Sequence, residues 1–121
     1  MGRTVVIGAS PNPDRYSFQA TIRLVEFGEE VIPIGMRMGE IGGLQIITER
    51  PNLTDVDTVT LYVGPDNQPS WYDYIISLKP RRVIFNPGTE NPTFSAMLAA
   101  SGIQSEIACT LVLLAMNNYA L

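Results

Sequence analysis

The stretch VVIGASPNPDRYS, Val5 to Ser17, decides how this chain is read. It opens as a β-branched run and turns at Gly8 into a loop that begins like the glycine-rich turn of a dinucleotide-binding unit. The pattern then breaks, because Ser10 stands where the second glycine belongs and Pro13 where the third does. Gly8 allows a tight exit from the strand, Ala9 keeps the backbone exposed, and Ser10 offers a hydroxyl beside its N–H. A helix starting near Tyr16 or Ser17 turns its unpaired N–H groups and about half a positive charge toward this loop, with Arg15 alongside. Together these make a phosphate cradle. The same residues also fit a plainer role, with Ser10 and Asn12 shaping a turn and Ser17 capping the helix.

Outward from this loop, apolar runs of strand length alternate with segments of helical period. Thr4 to Gly8 reads as a first strand buried on both faces. Tyr16 to Phe27 reads as a helix with a stripe at Phe18, Ala20, Ile22, Leu24 and Val25, stopped by Gly28. Glu30 to Gly35 forms a second strand, with Pro33 marking irregular pairing near its end. A glycine-rich stretch from Met36 to Leu53 follows, with a short strand at Gln45 to Ile47. Thr58 to Gly64 is a third strand, and Asp66 or Asn67 caps a helix running to about Leu78. Arg81 to Asn86 is a fourth strand, and Asn91-Pro92 opens a helix ending near Gly102. Ser105 to Ala108 and Cys109 to Asn118 supply a fifth strand and a last helix.

This alternation predicts an α/β fold: a Rossmann-like three-layer sandwich with a mostly parallel five-stranded sheet in the order 3-2-1-4-5. In that order the binding crevice lies between strands one and four, where GASPNPDRYS faces FNPGTEN. In the latter loop Pro87-Gly88 has the type II turn signature, and Asn86, Gly88 and Glu90 are the candidates for ligand contact. For Glu90 the role of a solvated residue near a helix start is the favoured one. The end of strand two is informative. An NAD site needs an acidic residue there, about 20 residues past the glycine loop. The chain has PIGMRMG instead, with Arg37 and no carboxylate until Glu40. An arginine in that place suits a phosphorylated ribose, as in NADP or coenzyme A, or is simply an exposed loop residue. Cys109, at a helix start, is either a core thiol or a reactive one. Trp71, Tyr72 and Tyr74 read as packing residues.

The 121 residues fit one domain spanning 1–121, and 45% apolar content suits a packed core. The net charge of −4, with no basic run, argues against nucleic-acid binding. No apolar run is long enough to cross a membrane, and one cysteine with no apolar leader suggests a reducing, cytoplasmic setting. The chain contains no histidine, which excludes histidine-based triads and phosphohistidine chemistry and leaves no ordinary zinc ligand set. No catalytic or metal-binding residue is expected.

At these loops the sequence resembles the small bacterial and archaeal coenzyme A-binding domain proteins, related to the nucleotide-binding half of the succinyl-CoA synthetase α subunit. The likeness covers nearly the whole chain. It rests on VVIGAS with RYS, LVEFGEEVIPI, Gly42-Gly43, DTVTLYVGP, IFNPGTEN and GIQSEIACTLVLL. It implies coenzyme A at the first loop, with Gly8, Ala9, Ser10, Arg15, Tyr16 and Ser17 on the pyrophosphate side. Gly35, Met36 and Arg37 would meet the adenosine and its 3′-phosphate, and Pro65 would flank the adenine or pantetheine. The family's usual Asn-Pro after the second strand is Gly35-Met36 here. The expected function is non-catalytic binding of coenzyme A or an acyl-CoA, as a sensor or partner module. Two other readings stand beside it. One is an NADP- or other nucleotide-dependent enzyme using Ser10, Tyr16 or Glu90. The other is a ligand-free domain that works by protein contact, as a homodimer or with another protein, through the apolar TLVLLAM helix.

Overall fold

In the computed structural model, which describes residues 2–120, strand β1 (Arg3–Ile7) buries Thr4 to Ile7 and leads into the loop just discussed. Helix α1 (Tyr16–Phe27) follows and ends at Gly28, which takes the left-handed conformation. The face of α1 that meets the sheet is Ser17, Ala20, Thr21 and Leu24, while Val25 is exposed. The buried stripe is therefore narrower and less apolar than expected, since small residues let the helix lie close to the strands. Strand β2 (Glu30–Ile34) comes next. The glycine-rich stretch after it forms a minimal hairpin, β3 (Glu40–Ile41) with β4 (Leu44–Gln45), turned by Gly42-Gly43. Only Ile47 of the expected short strand touches the main sheet, as a single parallel bridge to Ile34.

Strand β5 (Val56–Leu61) starts and stops earlier than expected. Past it, two 3-10 turns, Pro65–Asn67 and Pro69–Trp71, precede a short helix α2 (Tyr72–Ser77). Each 3-10 turn has a proline in its first turn, where the missing N–H leaves no bond unmade. Strand β6 (Arg82–Phe85), helix α3 (Pro92–Ala100), strand β7 (Gln104–Ile107) and helix α4 (Thr110–Ala115) complete the chain. Asn91 caps α3 as expected, accepting from the Phe94 N–H at 3.0 Å.

All five strands of the main sheet are parallel, with helices on both faces, as the α/β class requires. Leu24 of α1 and Leu113 and Leu114 of α4 pack on one face with Val6 and Ile84. Trp71, α2 and α3 pack on the other against Val5, Ile7, Val59, Leu61, Val83 and Phe85. The strand order, however, is β2-β1-β5-β6-β7. Counting only the five major strands this is 2-1-3-4-5, which corrects the expected 3-2-1-4-5. Pro33 explains the difference. Its carbonyl faces away from β1 and accepts from Ile47 N–H at 2.9 Å, so its missing donor faces that way too. A full strand on that side would lack a ladder bond, so β2 stays at the edge and β5 takes the far side of β1. The crevice moves accordingly, to between β1 and β5.

A buried polar chain crosses the amino ends of the strands. Thr4 Oγ1 shares a 2.6 Å hydrogen bond with Tyr119 and donates to buried Glu29. Arg82, 2% exposed, donates to Thr58 and Glu106 and to the Tyr119 carbonyl.

Candidate functional site

The carboxyl ends of the strands are built differently. Gly8 leaves β1 with φ +95, and its N–H and that of Ala9 both donate to the Ile34 carbonyl, at 3.0 and 2.9 Å. A Cβ on Gly8 would sit 2.8 Å from the Tyr62 carbonyl oxygen, so any larger residue would part β1 from the loop after β5. From Ser10 the loop is braced by Asn12. Its N–H donates to Ser10 Oγ at 3.1 Å, its Oδ1 accepts from Asp14 N–H at 3.0 Å, and its carbonyl accepts from Arg15 N–H at 3.1 Å. Ser10 and Asn12 therefore do shape the turn. The Ser10 hydroxyl acts there as acceptor, so its proton stays free to donate.

Ser17 does not cap α1. The N-cap is Arg15, which makes no side-chain cap bond, and the first turn carries no acidic residue. Among the described residues the N–H groups of Tyr16 and Ser17 find no hydrogen-bond partner. These donors and the unneutralised end of a twelve-residue helix open on a cavity of about 720 Å³. Ser10 and Arg15 line it from the loop after β1, Met36 and Arg37 from the segment after β2, and Pro87, Gly88 and Thr89 from the loop after β6. Tyr62 and Gly64 come from the segment after β5, as the observed strand order requires.

The distribution of charge is uneven. Among the described residues, Arg3, Arg23, Arg81 and Arg82 are each paired with a carboxylate. Arg15, Arg37 and Arg50 are in no such pair, and all three line this cavity or the one adjoining it. A chain of net charge −4 thus gathers its uncompensated guanidinium groups around one opening. The lining of the first cavity supplies hydroxyls, amides and guanidinium groups but no carboxylate or thiol. Burial pushes the Tyr62 hydroxyl well above its usual 10.0, and its oxygen has no hydrogen-bond partner. Such an arrangement can hold anions, and it keeps its phenol protonated.

Of the residues expected at the site, Gly8, Ala9, Ser10, Arg15, Tyr16, Ser17, Met36, Arg37 and Gly88 meet around the first cavity. Gly35 lines the adjoining one. Two expected contacts lie elsewhere. Pro65 heads an exposed 3-10 turn and lines neither cavity. Asn86 is 1% exposed, and its amide is fully engaged. It donates to Thr60 Oγ1 and the Leu61 carbonyl at 2.7 and 2.9 Å and accepts from Thr110 N–H at 2.9 Å. It therefore braces β5, β6 and α4 beneath the loop instead of facing the cavity. Glu90 closes its turn by accepting from Gly88 N–H. Cys109 is the half-buried N-cap of α4 and lines neither cavity. Sequence reasoning missed Arg50. It lies in the coil between β4 and β5, where no periodicity or turn signal marks it.

Five parallel strands with a cavity lined by unpaired arginines at the β1–β5 switch point define a Rossmann-like α/β module. The family model described as CoA binding domain matches residues 2–115, and the chain belongs to that family. Similar solved structures agree on the fold. A crystal structure of an uncharacterized protein is 51% identical, with each chain covered to 98% and a TM-score of 0.95. A conserved hypothetical protein from Pyrococcus furiosus is 26% identical, covered over 93% of this chain and 98% of its own, with a TM-score of 0.81. The acetyl-coenzyme A synthetase 1 of Ca. Korarchaeum cryptofilum, solved with phosphate and ADP, is 18% identical. It matches 88% of this chain and 25% of its own length at a TM-score of 0.68, a likeness of fold alone. No curated protein matches. Among the described residues no helix is long and apolar enough to cross a membrane, and no cluster of three metal-ligating side chains occurs.

Proposed function

We propose that the cavity binds coenzyme A or an acyl-CoA without acting on it, and that the chain serves as a sensor or partner module. The observation that carries the reading is the gathering of Arg15, Arg37 and Arg50, together with the unpartnered N–H groups of Tyr16 and Ser17, at one opening. Coenzyme A carries a diphosphate and a separate ribose phosphate, which matches donors on two walls. The pyrophosphate lies on Ser10, Arg15 and the start of α1, where backbone N–H groups and the helix dipole act together. Arg37, from the segment after β2, takes the 3′-phosphate as a charge-assisted partner. Family membership supports the ligand, and the cavity lining, which has no carboxylate, supports a binding role.

Calorimetry with coenzyme A, 3′-dephospho-coenzyme A and NADP tests this directly. Coenzyme A binds most tightly, and Arg37→Gln brings its affinity down to that of the dephospho form, a loss of about tenfold. Absence of binding by either coenzyme A form at millimolar ligand overturns the reading. Tighter binding of NADP overturns it in favour of an NADP-dependent protein.

A further inference from the structure

Arg50 is held in a way that the phosphate contacts do not require. Its Cζ lies 3.7 Å from the centroid of the Trp71 ring, and its Nη1 donates to the Ser70 carbonyl. Trp71 is itself fixed, 5% exposed and packed in the core beside Tyr74. Arg50 and Trp71 line a second cavity of about 820 Å³, which shares Gly8, Arg15, Met36, Tyr62 and Gly64 with the first. One face of the guanidinium is on the indole and one edge is on a carbonyl, so the remaining face belongs to the cavity.

We infer that Arg50 is a stacking plate, and that the second cavity takes the planar base of the nucleotide while the first holds its phosphates. The inference rests on the reading of the site as a coenzyme A site and extends it to a residue and a subsite. A guanidinium is planar and weakly hydrated, so it stacks on rings through both faces, here on Trp71 below and the base above. The other walls fit a neutral heterocycle better than a second anion. Val63 and Pro69 are apolar, and Asp66 would repel a phosphate. Asp66 and Asn67 instead supply a carboxylate and a carboxamide for the amino edge of a base.

Three probes separate the parts of the ligand: coenzyme A, adenosine 3′,5′-bisphosphate, which lacks the pantetheine arm, and 4′-phosphopantetheine, which lacks the base. Each is titrated against the wild type, Arg50→Lys and Arg50→Gln, with calorimetry and with the emission of Trp71, the sole tryptophan. Arg50 is exposed, so both variants keep the fold, and their melting curves check this. In the wild type both base-carrying probes change the Trp71 emission and phosphopantetheine does not. Both variants lose about tenfold in affinity for the base-carrying probes and nothing for phosphopantetheine, since lysine keeps the charge but not the plane. If Arg50→Lys binds like the wild type, or if the emission ignores the base-carrying probes that bind, the stacking role is overturned. If coenzyme A fails to bind while the bisphosphate binds and depends on Arg50, the coenzyme A reading falls and the base subsite stands. Silence from all three overturns both.

Discussion

Gly35 shows how little room the site leaves at the level of single residues. A Cβ there would lie 2.1 Å from the Ala9 carbonyl oxygen and 3.3 Å from Ile46, so the segment after β2 rests directly on the loop after β1. This contact brings Met36 and Arg37 to the cavity that Ser10 and Arg15 also line. Gly35→Ala must push the two backbones apart, because the near atom is main chain and cannot rotate away. The substitution lowers stability by about 2 kcal/mol in urea unfolding and weakens coenzyme A binding as Arg37 is displaced. Wild-type behaviour in both measurements contradicts the assigned role. The sequence marks Gly35 as a residue of the strand-two loop, but the distance that makes glycine necessary is a tertiary fact. Arg50 was still less visible. Its place over Trp71 depends on a contact between residues 21 apart in sequence, with the whole of β5 between them.

At the level of elements, the loops after β5 and β6 are stitched together by a buried carboxamide. Gln68 is 0% exposed, and its Nε2 donates to the Val63 and Thr89 carbonyls at 2.8 and 2.7 Å. Its Oε1 accepts from Asn91 at 2.9 Å, and Asn91 also donates to Tyr72, whose ring stacks on Phe94. One side chain thus fixes the cavity walls at Gly64 and Thr89 relative to each other. Gln68→Met leaves several buried polar groups unpaired and costs about 2 to 3 kcal/mol. Amide exchange quickens at residues 63–67 and 88–91 while β1 stays protected, and affinity for coenzyme A falls. Uniform exchange over the whole chain instead contradicts a local tie. The alternation of apolar runs and helical stripes was enough to place every major strand and helix, because burial on both faces of a parallel sheet writes itself into sequence. Pro33 also bears on the order of the strands, since a residue with no N–H to donate fits an edge strand. The turns at Pro65 and Pro69 were harder to read, since Asp66 and Asn67 resemble helix caps and a proline in a first turn is compatible with a long helix as well.

The whole molecule divides its polar groups by end. At the amino ends of the strands, buried Thr4, Glu29, Thr58, Arg82 and Tyr119 are joined to one another and to half-buried Glu106, and Tyr119 meets Phe27 edge to face at 6.1 Å. At the carboxyl ends, donors are left without partners for a ligand to use. This division predicts where pH acts. Asp57, near the start of β5, accepts from Arg81 at 2.9 and 3.2 Å. That hydrogen bond, more than any other cause, holds its carboxyl below the ordinary 3.8 despite some burial. A depressed folded value means that the unfolded chain binds the proton first as pH falls. The stabilisation is therefore complete above the unfolded value and is lost on descending through the folded one. Denaturant midpoints for the wild type accordingly drop below about pH 4 more steeply than those of Asp57→Asn. Binding of coenzyme A at neutral pH is unchanged by that substitution. Parallel acid limbs for the two proteins contradict the argument.

Pro33 has a further consequence, for how copies of this sheet can meet. Beyond β2, one donor is missing at Pro33 and the neighbouring carbonyl and N–H are occupied by Ile47. Beyond β7, the backbone of Gln104–Ile107 has no neighbouring strand among the described residues, and the Ile107 side chain is 72% exposed. A sheet with two open margins propagates, each added copy offering the next a fresh template. A sheet with one open margin uses it up in the first encounter. For edge-to-edge pairing, β7 is therefore the open margin of this sheet, and Pro33 together with Ile47 closes the other.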